Sequence, residues 1–206
     1  MINKSLPFFL FILSSCSLND LENYKAFGNL LLGGSNIDVN NELYESIEYA
    51  FAKASIGRGD EVILILRSFK EGIYEWISED GILIYTRHGI IISTIGLEHD
   101  MQEYQGKNAE IIKDNVLLDN FKNKINFVNP ELYDLELNYH LSKKKEMQFN
   151  HLSSIRGHIY EYTKYAPSIK WKSKMVIIYD KDNNVLFSKQ TTHPYMDPIT
   201  LEFYIK

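Results

Sequence analysis

Between Leu132 and Leu141 the chain alternates without a break. Tyr133, Leu135, Leu137, Tyr139 and Leu141 fall on one side, and Asp134, Glu136, Asn138 and His140 on the other. A period of two over ten residues specifies a strand with one buried and one wet face, which is the signature of an antiparallel sheet. Further candidates follow at Ser154 to Tyr165, Trp171 to Tyr179, Val185 to Thr191 and Ile199 to Ile205, where Ile199, Leu201, Phe203 and Ile205 again share a side. Upstream, Glu61 to Leu66, Ile73 to Ser78, Ile82 to Thr86 and Ile90 to Ile95 read as two consecutive hairpins closed by Asp80-Gly81 and Arg87-His88-Gly89. Pro130, Pro167, Pro194 and Pro198 all fall between candidate strands, where a missing N–H costs no ladder bond. No strand-helix-strand repetition occurs, which excludes a doubly wound nucleotide-binding sheet. The expected fold is therefore mainly β: an antiparallel meander curled into a barrel- or sandwich-like domain over residues 41–206.

Two segments read differently. Leu43, Ile47, Ala50, Phe51 and Ala54 recur at helical spacing, with Glu42 and Glu45 in the first turn and Gly57 beyond, so one N-terminal amphipathic helix is expected. Residues 101–130 are polar and weakly periodic, with one strand expected near Ile125 to Val128 inside a connecting excursion.

The first residues, MINKSLPFFLFILSSCSL, place one cation before an apolar run from Leu6 to Leu13, then small residues before Cys16. This is the order of a secretory signal. The run is shorter than the roughly 17 to 25 residues a spanning helix needs. Leu13-Ser14-Ser15-Cys16 resembles the bacterial lipoprotein signal box, which implies cleavage after residue 15 and a diacylglyceryl thioether on Cys16; an ordinary secreted protein is the alternative. Residues 16–40, with Gly28, Gly33 and Gly34, then serve as lipidated N-terminus and linker. Ser17 at the following position favours the outer membrane, facing the periplasm by default, although exposure at the cell surface stays open.

Chemistry is sparse. The net charge is −5, without the basic face that nucleic acid requires. The single cysteine excludes a CxxC zinc or redox site, and six scattered histidines form no metal-ligand spacing, so no metal or cofactor is expected. There is no GxSxG nucleophile elbow. Glu98-His99-Asp100 and Lys143-Lys144-Lys145 read as solvated turns, and Arg58-Gly59-Asp60 as the end of the helix. Tyr160, Tyr162 and Tyr165, with Trp76 and Trp171, would suit a saccharide-stacking face if exposed, but aromatic residues are favoured in strands and their commoner place is a barrel core.

Trp76-Ile77-Ser78-Glu79-Asp80-Gly81, then Gly89 through Thr94-Ile95-Gly96-Leu97, then Trp171, Asp180, Ser188-x-Gln190 and Pro194, stand in the order found in the YjbF/GfcB family of lipoproteins, with Ile90 where an arginine is common. The chain resembles that family along nearly its whole length. The resemblance implies a barrel-like periplasmic domain acting in capsule or exopolysaccharide assembly or secretion, with no catalytic residues to carry over. The expected partners are the membrane, through the lipid, and a polysaccharide or a polysaccharide-export protein. Two other readings remain: a glycan-acting envelope enzyme using Glu98 and Asp100 as acid and base, and a lipid or lipoprotein carrier with an apolar cavity.

Overall fold

The computed structural model describes residues 36–103, 112–113 and 116–206. A short helix α1 (Asn41–Ser46) precedes β1 (Phe51–Ile56), β2 (Val62–Lys70), β3 (Ile73–Ile77), β4 (Leu83–Arg87), β5 (Ile90–Ile95), β6 (Met101–Glu103), β7 (Ile112–Lys113), β8 (Val116–Leu117), β9 (Asn120–Phe127), β10 (Leu132–Asn150), β11 (Ser154–Ala166), β12 (Trp171–Asp180), β13 (Val185–Gln190) and β14 (Ile199–Tyr204). Twelve of these close into one antiparallel barrel in the order β1, β14, β13, β12, β11, β10, β9, β6, β5, β4, β3, β2, while β7 and β8 pair separately. The meander expectation holds, and closure decides for barrel over sandwich. Closure gives each of the twelve barrel strands a partner on both sides over at least part of its length.

The interior is packed with side chains over most of its length. Ala52, Ala54, Leu64, Trp76, Ile84, Phe127, Leu137, Tyr162, Met175, Leu201 and Phe203 belong to one buried cluster. A second cluster lies outside the staves: Phe51, Ile63 and Tyr204 turn outward and are covered by Ile37, Val39 and Ile47. The tip of the β10–β11 hairpin reaches the same surface, where the His151 ring stacks on Tyr204 with centroids 4.3 Å apart and its Nε2 meets the Phe203 carbonyl at 2.9 Å.

Several readings are corrected. The N-terminal helix stops at Ser46 instead of running through Ala54, and Phe51, Ala52 and Ala54 are strand. Asn40 caps the helix by accepting from the Leu43 N–H at 2.9 Å, and Glu42 lies in its first turn as expected. From Phe51 onward, however, β1 pairs with both β2 and β14 and buries both of its faces. Pairing on two sides outweighs a helical spacing that was carried by only five residues. The 101–130 excursion contains two barrel staves, β6 and β9. In β9 the inward positions are Phe121, Asn123, Ile125 and Phe127, and the inward asparagine interrupts the apolar alternation. Lys143 to Lys145 form no turn, because they continue β10, which runs nineteen residues as a long ribbon with β11. Within β10 an irregularity between Leu132 and Leu135, with Asp134 at φ 57°, also turns Tyr133 out to solvent instead of in with Leu135.

Candidate functional site

The residues that carry the family resemblance are spent on holding turns and bracing the barrel. Trp76 is fully buried, donates from Nε1 to Thr86 Oγ1 at 2.9 Å and packs on Tyr74 and Phe203. Ser78 accepts the Ile82 N–H at 2.9 Å and bonds the Asp80 carboxylate, which fixes the β3–β4 turn. Asp180 does the same for the β12–β13 turn, accepting from the Asp182 and Asn184 N–H groups at 2.8 Å each.

The β4–β5 turn reaches across the lumen. Gln190 donates to the Gly89 carbonyl at 3.0 Å and to Ser188 Oγ at 2.9 Å, and the Tyr179 hydroxyl donates to the His88 carbonyl at 2.6 Å. Gly89 has φ +75°, and a Cβ there would stand 2.8 Å from Val185 Cγ1, so both conformation and crowding require glycine. The structure thus brings together the turn glycine and the Ser188-x-Gln190 pair, a hundred residues apart, in neutral hydrogen bonds that lock two walls. These contacts hold structure; no nucleophile or acid–base pair arises from them.

A second polar group lies near the turns following β5, β9, β11 and β13. Lys164 is buried, donates to the Thr191 carbonyl at 2.6 Å and lies over the rings of Trp171 and Tyr139, 5.4 and 5.8 Å from their centroids. Burial pulls its ammonium down to about 7. His193, also buried, stacks on His99 at 4.7 Å and meets Phe127 edge-on at 4.4 Å. Its Nδ1 accepts from the Tyr195 N–H, while Nε2 has no hydrogen-bond partner among the described residues. Burial first, then the neighbouring His99, pushes His193 down to about 4, so the ring is neutral at physiological pH. Glu103 also faces inward; burial raises its carboxyl pKa, against a smaller opposing pull from Arg87. The inward alternation of Tyr160, Tyr162, Lys164 and Ala166 in β11 could have revealed the buried lysine, whereas nothing around His193 in the sequence marks it as interior.

Between β1, β2, the β3–β4 turn and β14 lies a cavity of about 210 Å³, walled mainly by Ala54, Val62, Leu64, Ile82, Ile84 and Ile199, with Asp60 and Asp80 among its few polar lining residues. It is smaller than the roughly 300 to 1,000 Å³ of a typical small-molecule site.

Of the residues singled out in the sequence, Cys16 lies outside the described residues. Asp100 is occupied: its two oxygens accept the Gly96 and Leu97 N–H groups at 2.9 and 3.1 Å. Glu98 contributes its backbone carbonyl to Asn129 Nδ2. His140 stays on the wet face against Asn120. Tyr160 and Tyr162 are core, and Tyr165 is exposed, so these tyrosines form no continuous stacking face. No group of three or more His, Cys, Asp or Glu side chains suited to a metal ion occurs among the described residues.

The family model described as "Group 4 capsule polysaccharide lipoprotein gfcB, YjbF" matches residues 24–203. The chain belongs to the YjbF family. This YjbF-family chain is 21% identical over 115 residues to the uncharacterized lipoprotein GfcB of Escherichia coli (strain K12), covering 53% of this chain and 54% of that one; the match thus spans about half the length of the curated relative. The hypothetical lipoprotein YmcC from Escherichia coli (K12) has a crystal structure similar to this one, with a TM-score of 0.67 at 15% identity, covering 94% of this chain and 98% of that chain. That likeness shows that the two chains share a fold.

Proposed function

We propose that the protein is a lipid-anchored, non-catalytic accessory factor in capsule or exopolysaccharide assembly or secretion. Cys16 carries the lipid, the anchor sits in the outer membrane, and the barrel faces the periplasm, where it binds the polymer or a protein that exports it. The observation that supports this reading best is the match to a capsule lipoprotein family over residues 24–203, whose characteristic residues in this chain are engaged in turns and lumen braces. Membrane attachment is the step with defined chemistry: each buried CH₂ contributes about 0.8 kcal/mol, so two or more long chains make a lasting anchor. The neutral His193, the single-carbonyl partner of Lys164 and the structural engagement of Asp100 give no support to an acid–base mechanism.

The test is surface polymer in a deletion strain complemented with wild type or Cys16→Ala. Loss of polymer on deletion, restored by wild type and not by Cys16→Ala, is the expected result. Unchanged polymer in the deletion strain under producing conditions overturns the proposal.

A further inference from the structure

Burying an ammonium group is costly unless a counter-charge goes with it. Lys164, on β11, is only 1% exposed, yet among the described residues no carboxylate lies within ion-pair distance of it. Glu103, which also faces inward, is paired with Arg87 at 4.0 Å instead. An ammonium carries three donors, and the Thr191 carbonyl takes one of them at 2.6 Å. The Trp171 and Tyr139 rings, with centroids 5.4 and 5.8 Å away, offer their π-faces but no net charge. Burial without compensation is what pulls this amine down to about 7.

Two hydroxyls beside it are equally unprovided for. Ser173 is the register partner of Lys164 across β11 and β12, an arrangement that brings cross-strand Cβ atoms to roughly 4.5 to 5.5 Å. Thr192 directly follows the residue whose carbonyl receives Lys164, and it is fully buried. Ser173 Oγ and Thr192 Oγ1 are both cut off from solvent, and neither has a hydrogen-bond partner among the described residues. The ammonium and the two hydroxyls can all donate, so the three share a need for an acceptor. A bridging water satisfies the hydroxyls but leaves the charge uncompensated, whereas a small anion does both. Tyr139, Tyr162, Ala166 and Met175 belong to the buried cluster on these same inward faces. A single-atom ion displaces them less than a tetrahedral oxyanion does, which sets the size of the ligand.

We propose that Lys164 Nζ, Ser173 Oγ and Thr192 Oγ1 form a buried site for a monovalent, halide-sized anion such as chloride. The ion completes the charge of Lys164 and accepts from both hydroxyls, tying β11 to β12 and to the loop between β13 and β14. That loop carries His193 and Tyr195 against His99, so the anion also holds this end of the barrel. The inference does not depend on a lipid at Cys16 or on a role in capsule export.

The experiment is thermal unfolding of the full chain, purified in detergent, at pH 7 in sodium chloride, sodium bromide or sodium gluconate of equal ionic strength; gluconate is too large to enter the site. The midpoint in either halide is expected to lie about 3 to 5 °C above that in gluconate, the shift that a site held at ten times its dissociation constant gives a chain of this length. Lys164→Met keeps any general salt effect and loses the site, so the halide gain disappears. Ser173→Ala and Thr192→Val each weaken that gain with the lysine still in place, which keeps the proposal testable should Lys164→Met fail to fold. In crystals grown from bromide, an anomalous peak is expected between Lys164 Nζ, Ser173 Oγ and Thr192 Oγ1. Equal midpoints in all three salts overturn the proposal and leave the hydroxyls to water. A halide gain of the same size in all the variants, with bromide found only at the surface, overturns it as well and marks an adventitious ion only.

Discussion

On the wall formed by β1, β2, β3 and β14 the inward side chains are almost entirely hydrocarbon, with Ala52, Ala54, Leu64, Trp76, Leu201 and Phe203 as the main contributors. On the wall formed by β9 to β13 the lumen also receives Asn123, Tyr162, Lys164, Tyr179, Ser188 and Gln190. The first wall is held by area removed from water, a non-directional force that tolerates an unfilled 210 Å³. The second is directional: Tyr162, Lys164, Tyr179 and Gln190 each donate to the backbone carbonyl of a turn or loop, at Leu118, Thr191, His88 and Gly89. The difference teaches that the polar wall positions the loops, while the apolar wall supplies bulk cohesion.

The largest test of this division is Trp76→Ala, which removes the biggest fully buried side chain on the apolar wall. It is expected to lower unfolding free energy by about 3 to 5 kcal/mol, read from urea midpoints. A loss below about 1 kcal/mol would show that this wall is not where the cohesion lies.

Lys164 sharpens the contrast through pH. Its folded pKa near 7 lies below the ordinary 10.5, so between those values the unfolded chain binds more protons. Stability must then rise with pH from about 7, at up to about 1.4 kcal/mol per pH unit, until tyrosines begin to ionise near 10. Lys164→Met keeps the length and removes the charge, and a nearly flat profile between pH 7 and 9.5 is expected in thermal unfolding. An unchanged slope would place the titrating group elsewhere. On the acid side His193 works in the same sense: held neutral down to about 4 against an ordinary 6.5, it loses stability as pH falls through that interval. Burial also lowers His88 and His151, so His193→Gln makes the acid loss shallower and does not abolish it.

Gln190→Leu, on the polar wall, leaves the buried Gly89 carbonyl without its side-chain donor and is expected to cost about 1 to 3 kcal/mol. Its distinguishing readout is local. Hydrogen exchange in the β4–β5 turn should accelerate while β1 and β14 stay protected. Uniform acceleration would mean that the brace belongs to the whole barrel and that the two walls are not separable.

How much of this could be read beforehand follows from the same physics. Strand β14 was legible because Ile199, Leu201 and Phe203 share one face while Thr200 and Glu202 lie on the other. Strand β9 was legible only at its end, where the strand expected near Ile125 to Val128 overlaps it, since Asn123 occupies an inward position and breaks the apolar alternation before that. The far half of β10 was not legible either: its side chains, Lys143 to Glu146 among them, are exposed on both faces, so no alternation marks it. The turn glycines and the Ser188-x-Gln190 pair were visible as residue types, but the contact between Gln190 and Gly89 is created only when β1 meets β14 and the walls face each other. Closure is a global event that no local window contains.

That exposed ribbon supplies the smallest expected effect. Lys143 Nζ lies 2.8 Å from Glu161 Oε1, a short ion pair among the described residues. Yet Lys143 is more than half exposed, so water screens the attraction and ordering two long side chains offsets most of it. Lys143→Ala is therefore expected to change stability by less than about 0.5 kcal/mol at ordinary salt, measured by urea unfolding beside Gln190→Leu. The lumen bond has a similar length and joins neutral partners, but it sits where no water competes for the Gly89 carbonyl. Should Lys143→Ala prove the more costly of the two, distance and charge would matter more than burial in this protein, and the division between its walls would lose its physical basis.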